Sequence, residues 1–254
     1  MRRPYILSET NWKAFRDAGI ELAVLPWGAT EAHNLHLPYS TDNIETEKIT
    51  GEAAGIAYEK GARLVVLPVM PYGVNTGQLD IKGTINLNPS TQYAILRDII
   101  ADLDRQGMHK LLIVNGHGGN DFRQMIREAG TLFPEMFICQ CNWYQAVEGS
   151  GYFENDGGHA DEMETSLMLY LAADLVLPLN EAGKGLAKKF RIKALDEKWA
   201  WAERRWLQVT EDTGIGDPSK ADPVKGEKFF KAVAGRISEL MLDLCKADIS
   251  NLYQ

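Results

Sequence analysis

Four short, nearly unbroken apolar runs, at residues 22–27, 63–70, 110–114 and 136–143, punctuate this chain. Their density of Leu, Val and Ile predicts strands covered on both faces, as in a parallel sheet. Between them lie stretches of helical composition at 11–18, 42–58, 90–106 and 121–129. Gly61 stands where a helix C-terminal glycine is expected, and Ser90 can cap a helix that carries Ile95, Ile99, Ile100 and Leu103 at helical spacing. Further helices are predicted from the Gly158–Ser166 region to about residue 173 and over 226–244. Strand alternating with helix implies a parallel α/β sheet, with ligands expected beyond the carboxyl ends of the strands.

Chemistry gathers at those ends. The first run stops at Gly28, and Glu31, His33, His36 and Asp42 follow within a short stretch. Imidazole nitrogen and carboxylate oxygen together suit a divalent metal. In extended chain Glu31 and His33 face the same side. The alternative is a surface loop with a satisfied histidine and a helix-capping Asp42. The third run ends in Asn115-Gly116-His117-Gly118-Gly119-Asn120. A dinucleotide fingerprint starting at Gly116 would require glycine at 121, where the chain has Asp121. The glycines fit better with backbone packed closely around a histidine, although a flexible turn would also explain them. Two pairs of acids, Asp42 with Glu45 and Asp161 with Glu164, have the spacing of capping pairs. His36 is a candidate for a supporting role behind the site, and His109, just before a strand, lies away from it.

Composition narrows the field. A chain of 254 residues with 45% hydrophobic content fits one domain, and a net charge of −8 disfavours a nucleic-acid partner. The segment 188–206 mixes basic residues with Trp199, Trp201 and Trp206, which reads as a lid or a subunit contact. Three cysteines argue against a disulfide framework; Cys139 and Cys141, two apart in a strand, are expected to share a buried face. The N-terminus lacks an apolar signal core, and no run approaches the roughly 20 residues of a membrane span. A cytoplasmic protein that engages neither membrane nor nucleic acid is the expectation.

With these residues in hand, the chain resembles the creatininase (creatinine amidohydrolase) family. The resemblance rests on Gly28-Ala29-Thr30-Glu31-Ala32-His33 with His36-Leu37-Pro38 and Asp42, on Pro71-Tyr72-Gly73 with Gly83-Thr84, and on the segment 115–120. His159 with Glu164-Thr165-Ser166, then Gly216-Asp217-Pro218 and Lys225-Gly226, extend it over most of the chain. It implies a three-layer α/β/α fold with a mainly parallel central sheet, a homo-oligomer such as a hexamer, and two divalent metal ions, Zn, Mn or Fe. By motif match Glu31, Asp42 and His117 hold one ion, and Asp42 bridges to a second bound by His33. Creatininase has an acid at the place of Gly119; Glu164 is taken here as the replacement ligand. Gln78, Gly158 and Asp161 also depart from the family pattern, which bears on substrate.

The resulting expectation is a metal-dependent amidohydrolase that cleaves a C–N amide bond of a small, cyclic or formamide-like substrate. Metal would lower the pKa of a bound water from about 15.7 to roughly 7 for attack on the carbonyl. His159 is the expected catalytic residue, stabilising the oxyanion or protonating the leaving nitrogen. The competing readings are a metal-holding scaffold that binds a small molecule without turnover, and a nucleotide site at the glycine run.

Overall fold

The structure is a computed structural model and describes residues 3–155 and 157–253. Four strands, β1 (Leu22–Trp27), β2 (Leu64–Val66), β3 (Lys110–Asn115) and β4 (Phe137–Asn142), form one parallel sheet in the order β2-β1-β3-β4. Eight helices accompany them among the described residues: α1 (Trp12–Phe15), α2 (Thr41–Glu59), α3 (Pro89–Arg105), α4 (Arg123–Leu132), α5 (Glu162–Leu171), α6 (Lys193–Asp196), α7 (Trp206–Val209) and α8 (Pro223–Lys246).

Alternation along the strands explains the layers, because successive side chains point to opposite faces. Leu22, Val24, Leu112 and Val114 join Ile49 of α2 and Phe229 and Val233 of α8 in one core. Ala23, Leu25, Leu111 and Ile113 join Leu96 and Ile100 of α3 and Ala129 of α4 in the other. Helices therefore cover both faces of the sheet, the expected three-layer α/β/α arrangement. Each fully buried Leu, Ile or Phe contributes roughly 1.5–3 kcal/mol, so the two cores supply the main drive for holding the sheet between its helix layers. Cys139 and Cys141 do share a face, packing against the first core, and burial pushes both thiols up to about 12.

Several boundaries differ from the pattern. Strand β2 is shorter than 63–70 because Pro68 has no N–H to give; the chain leaves after Leu67 and rejoins β1 where Met70 N donates to the Pro26 carbonyl at 3.0 Å. Ser90 does not cap α3. Pro89 takes the first helical position, where its fixed φ and missing N–H cost nothing, and Asn88 precedes it. Asp121 Oδ1 accepts from Arg123 N, holding a turn that delays α4. Asp42 lies inside the first turn of α2 and makes no cap, which leaves its carboxylate free for other partners. Asp161 does cap α5: Oδ1 accepts from Glu164 N at 3.1 Å, while the Glu164 carboxylate accepts from Ala160 N. Among the described residues no helix is long and apolar enough to cross a membrane.

Candidate metal centre

The strand order reverses between β1 and β3, so the chains leaving these neighbours diverge and open a crevice. Trp27 pairs in register with Asn115, and Gly116 N donates to the Trp27 carbonyl at 2.9 Å. Both polar stretches thus begin at one level. Gly116 has to be glycine here: a Cβ would lie 1.8 Å from Thr46 Oγ1 of α2. That contact sets the third-strand loop against the helix that carries Asp42.

Three buried imidazoles converge in the crevice, each with one nitrogen committed to backbone. His33 Nδ1 donates to the Glu31 carbonyl (3.2 Å), His117 Nε2 to the Val74 carbonyl (3.0 Å) and His159 Nε2 to the Ala32 carbonyl (2.8 Å). Since a carbonyl only accepts, each tautomer is fixed and the opposite nitrogen faces carboxylates. His117 Nδ1 lies 2.8 Å from Glu31 Oε1 and 3.1 Å from Asp42 Oδ2; His33 Nε2 lies 2.9 Å from Asp42 Oδ1 and 3.8 Å from Glu164 Oε2. His159 Nδ1 is 3.8 Å from Glu31 Oε1.

Among the described residues ligand-capable atoms fall into three groups, each within 4.8 Å: Glu31, Asp42 and His117; His33, Asp42 and Glu164; Glu31, His33 and His159. Asp42 is shared by the first two. The structure therefore brings together Glu31, His33, Asp42, His117, His159 and Glu164. It leaves His36 behind them, bonded to Thr165 Oγ1 at 2.9 Å, and His109 apart on the surface.

Electrostatics at the cluster suit a cation. Burial acts to lower the pKa of His33, yet the carboxylates, Asp42 foremost, hold it up to about 10; Glu31 and Asp42 likewise raise His117. Burial lifts Glu164 and Asp161 to about 7, and Glu45, enclosed with Glu164 and Asp42 nearby, well above the usual range. His159 is pulled down by burial and by the neighbouring His33. Several buried side-chain atoms have no hydrogen-bond partner among the described residues: His33 Nε2, Asp42 Oδ2 and both Glu45 oxygens. Buried polar atoms left this way are costly unless something else satisfies them. Imidazole lone pairs turned toward clustered carboxylates are a donor set that divalent cations fit.

Gly119 provides no ligand and has no room for one. A Cβ there would lie 2.2 Å from the Val74 carbonyl oxygen and 2.5 Å from His117 Nε2. The same carbonyl that orients His117 occupies that space.

A cavity of about 920 Å³ opens over one side of the cluster, walled by Gln78, Tyr93, Trp201, Arg204 and Trp206. A second, of about 390 Å³, reaches its other side past Tyr144, Phe153 and Met163. Gln78, anticipated only as a departure from the family pattern, donates from Nε2 to Glu31 Oε2. Trp206 is buried and packs edge-on against His159 at 5.2 Å, whereas Trp199 and Trp201 are 75% and 87% exposed. The three tryptophans do not act as one unit. Sequence reasoning missed Asn120 and Gln92 as positioning groups: Asn120 Oδ1 accepts from Val74 N and Gln92 Nε2, and Asn120 Nδ2 donates to Asn115 Oδ1. Only the place of Asn120 in the glycine-rich run pointed to it.

Residues 8–241 match the family model Creatininase, creatinine amidohydrolase. Creatinine amidohydrolase of Pseudomonas putida is 28% identical over 200 residues, covering 69% of this chain and 75% of its own. The mycofactocin precursor peptide peptidase of Mycobacterium tuberculosis is 26% identical over 223 residues, 83% of this chain and 80% of its own. The 3-dehydro-scyllo-inosose hydrolase of Thermotoga maritima is 30% identical over 164 residues, 59% and 50% of the two chains. Among solved structures, a candidate creatinine amidohydrolase from Bacteroides fragilis superposes with a TM-score of 0.93 at 41% identity over all of both chains. A creatininase variant in a Zn–Zn form shares the fold, with a TM-score of 0.80 at 22% identity over 96% of this chain and all of its own. A manganese form of creatininase is a further structural neighbour.

Proposed function

Because this chain belongs to the creatininase family, whose relatives are hydrolases, we propose that it is a metal-dependent hydrolase cleaving a C–N amide bond of a small, cyclic or formamide-like amide. The observation that carries this is the shared arrangement of His33, His117 and His159, each spending one N–H on a backbone carbonyl and turning its other nitrogen to buried carboxylates. In this reading Glu31, Asp42 and His117 would hold one ion, and Asp42, His33 and Glu164 would hold a second. Zinc, manganese or iron bound there would supply Lewis acidity toward the carbonyl and a water acidic enough to ionise near neutral pH.

The chain's own groups do the rest. His159 is a neutral imidazole whose free Nδ1 accepts a proton as the nucleophile forms and returns it to the leaving nitrogen. It stabilises an oxyanion only in its protonated form, since its neutral form has no N–H on that side. The rings of His33, at 4.2 Å, and Trp206, at 5.2 Å, flank the imidazole and limit its contact with water. Gln78 fixes the orientation of Glu31 through one carboxylate oxygen. A cavity of about 920 Å³ is at the upper end of small-molecule pockets and leaves room for a small amide that carries substituents.

The missing side chain at Gly119 favours the competing reading, a metal-holding binder without turnover. One experiment separates the two. Protein purified without chelator is assayed for metal per chain and then screened against cyclic amides and formamides. About two equivalents with an amide consumed supports the hydrolase; bound metal with every amide intact supports the binder.

A further inference from the structure

The guanidinium of Arg204 makes no hydrogen bond and no ion pair among the described residues. It lies on the wall of the 920 Å³ cavity with its Cζ 4.8 Å from the centroid of the Trp206 ring. That ring is held by Nε1 donating to the Thr213 carbonyl at 3.0 Å, and it packs edge-on against the His159 imidazole. The charged fork thus stands one aromatic ring away from the imidazole proposed to move the proton.

Its backbone is fixed as firmly. A Cβ on Gly77 would lie 2.3 Å from the Arg204 carbonyl oxygen, so the two segments are in direct contact, and Thr76 Oγ1 donates to the adjacent Glu203 carboxylate. Arg204 is exposed at the cavity wall; its partial desolvation draws its pKa down while Glu31 acts in the opposite direction, which puts the guanidinium within electrostatic reach of the cluster.

We propose that Arg204 is the anion-binding residue of this site and takes a carboxylate carried by the substrate a few bonds from the amide that is cut. A guanidinium stacked on an indole presents its N–H groups in one plane, the geometry that matches a carboxylate bidentately. A second feature points the same way. The outer groove that shares Trp201, Glu203 and Arg204 with the cavity is also lined by Asp196 and by Lys189, Arg191, Lys198 and Arg205, and none of these four cations enters an ion pair among the described residues. On a chain of net charge −8 this is a local basic approach, which raises the encounter rate of an anion and disfavours a cation. Creatinine has no carboxylate, so the substrate differs from it in charge.

The inference rests on the amide-hydrolase reading for its choice of probes. Metal-loaded protein is titrated with N-formylglycine, N-formyl-β-alanine and N-formyl-γ-aminobutyrate, each against its primary amide, with binding read by tryptophan fluorescence and calorimetry. At least one acid should bind about tenfold or more tightly than its amide. R204M should bring the pair to within about twofold, and R204K should keep part of the preference, with metal content equal in all three proteins. R204Q replaces R204M should the latter not retain metal. Equal binding of acid and amide by the unaltered protein, failure of every acid to bind at millimolar concentration, or a preference that survives in R204M would each overturn the assignment; the last would give the carboxylate to the metal ions. Turnover of the same compounds is read separately. An Arg204-dependent preference without turnover removes the hydrolase reading alone, and turnover of acid and amide alike removes the role of Arg204 alone.

Discussion

His117 Nδ1 lies 2.8 Å from Glu31 Oε1 while Nε2 of the same ring donates to the Val74 carbonyl at 3.0 Å. The two residues follow different strands, and the Nε2 donation leaves the His117 Nδ1 lone pair facing the Glu31 carboxylate. A neutral imidazole and a carboxylate turned to each other in a buried site are satisfied when a cation joins them. His117→Ala should therefore lower metal content from about two equivalents to about one and abolish turnover, measured by elemental analysis and amide hydrolysis. Undiminished activity in fully loaded H117A would remove His117 from the ligand set.

Glu164 and Gly119 make a matched test. If Glu164 serves the second ion, Glu164→Ala loses about one equivalent of metal and leaves the ion at His117 in place. Restoring an acid at 119 should not compensate. The Val74 carbonyl blocks the path of a side chain, so Gly119→Glu should cost at least about 1–3 kcal/mol of stability without restoring metal to E164A. Denaturant unfolding and metal analysis of the single and double variants decide it. A loaded, stable E164A/G119E protein would show that the loop rearranges.

Asn120 acts on the site through other groups. It accepts from Val74 N at 3.0 Å and donates to Asn115 Oδ1 at 2.9 Å, fixing both the carbonyl that orients His117 and the strand end that carries it. Asn120→Ala should weaken metal affinity about 10–100-fold while costing about 1–3 kcal/mol of stability. Chelator competition reads the first and urea unfolding the second. A loss of stability with metal affinity untouched would mean that Asn120 only holds the loop together.

Much of this was legible in the sequence, for physical reasons. Runs such as Leu22–Trp27 are apolar at nearly every position because helices cover both faces of the sheet, and Glu31, His33, Asp42 and His117 follow the ends of two of those strands, with His159 and Glu164 added from around the start of α5. What escaped were boundaries decided by single hydrogen bonds, as at Pro68 and Asp121, and residues that reach the site from segments without periodicity. Arg204 belongs to such a segment, and Trp206 beside it reads from sequence only as part of a lid or subunit contact. Their place is fixed by contacts distant in sequence, including Gly77 against the Arg204 carbonyl and Asn34 bonded in both directions to the backbone of Gly183. Glu45 was read as half of a capping pair. It lies in α2 three positions after Asp42, and helical spacing carries it into the same buried acidic cluster.

Cys139 and Cys141 test the packing of β4 independently of the metal. Burial pushes both thiols up to about 12, well above the ordinary thiol range, so folding favours their neutral forms. Below pH 9 the thiols are neutral in folded and unfolded chains alike, and this contribution to stability is fully present. As pH rises from 9 toward 12 the unfolded chain ionises first, and the contribution is lost. Native protein at pH 8 should thus react with a thiol reagent far more slowly than protein in denaturant, where all three cysteines become available. Replacing both strand cysteines with alanine should flatten the fall in stability between pH 9 and 11. Rapid labelling of both in the native state would mean that α8 does not cover this end of the sheet as tightly as the first core requires.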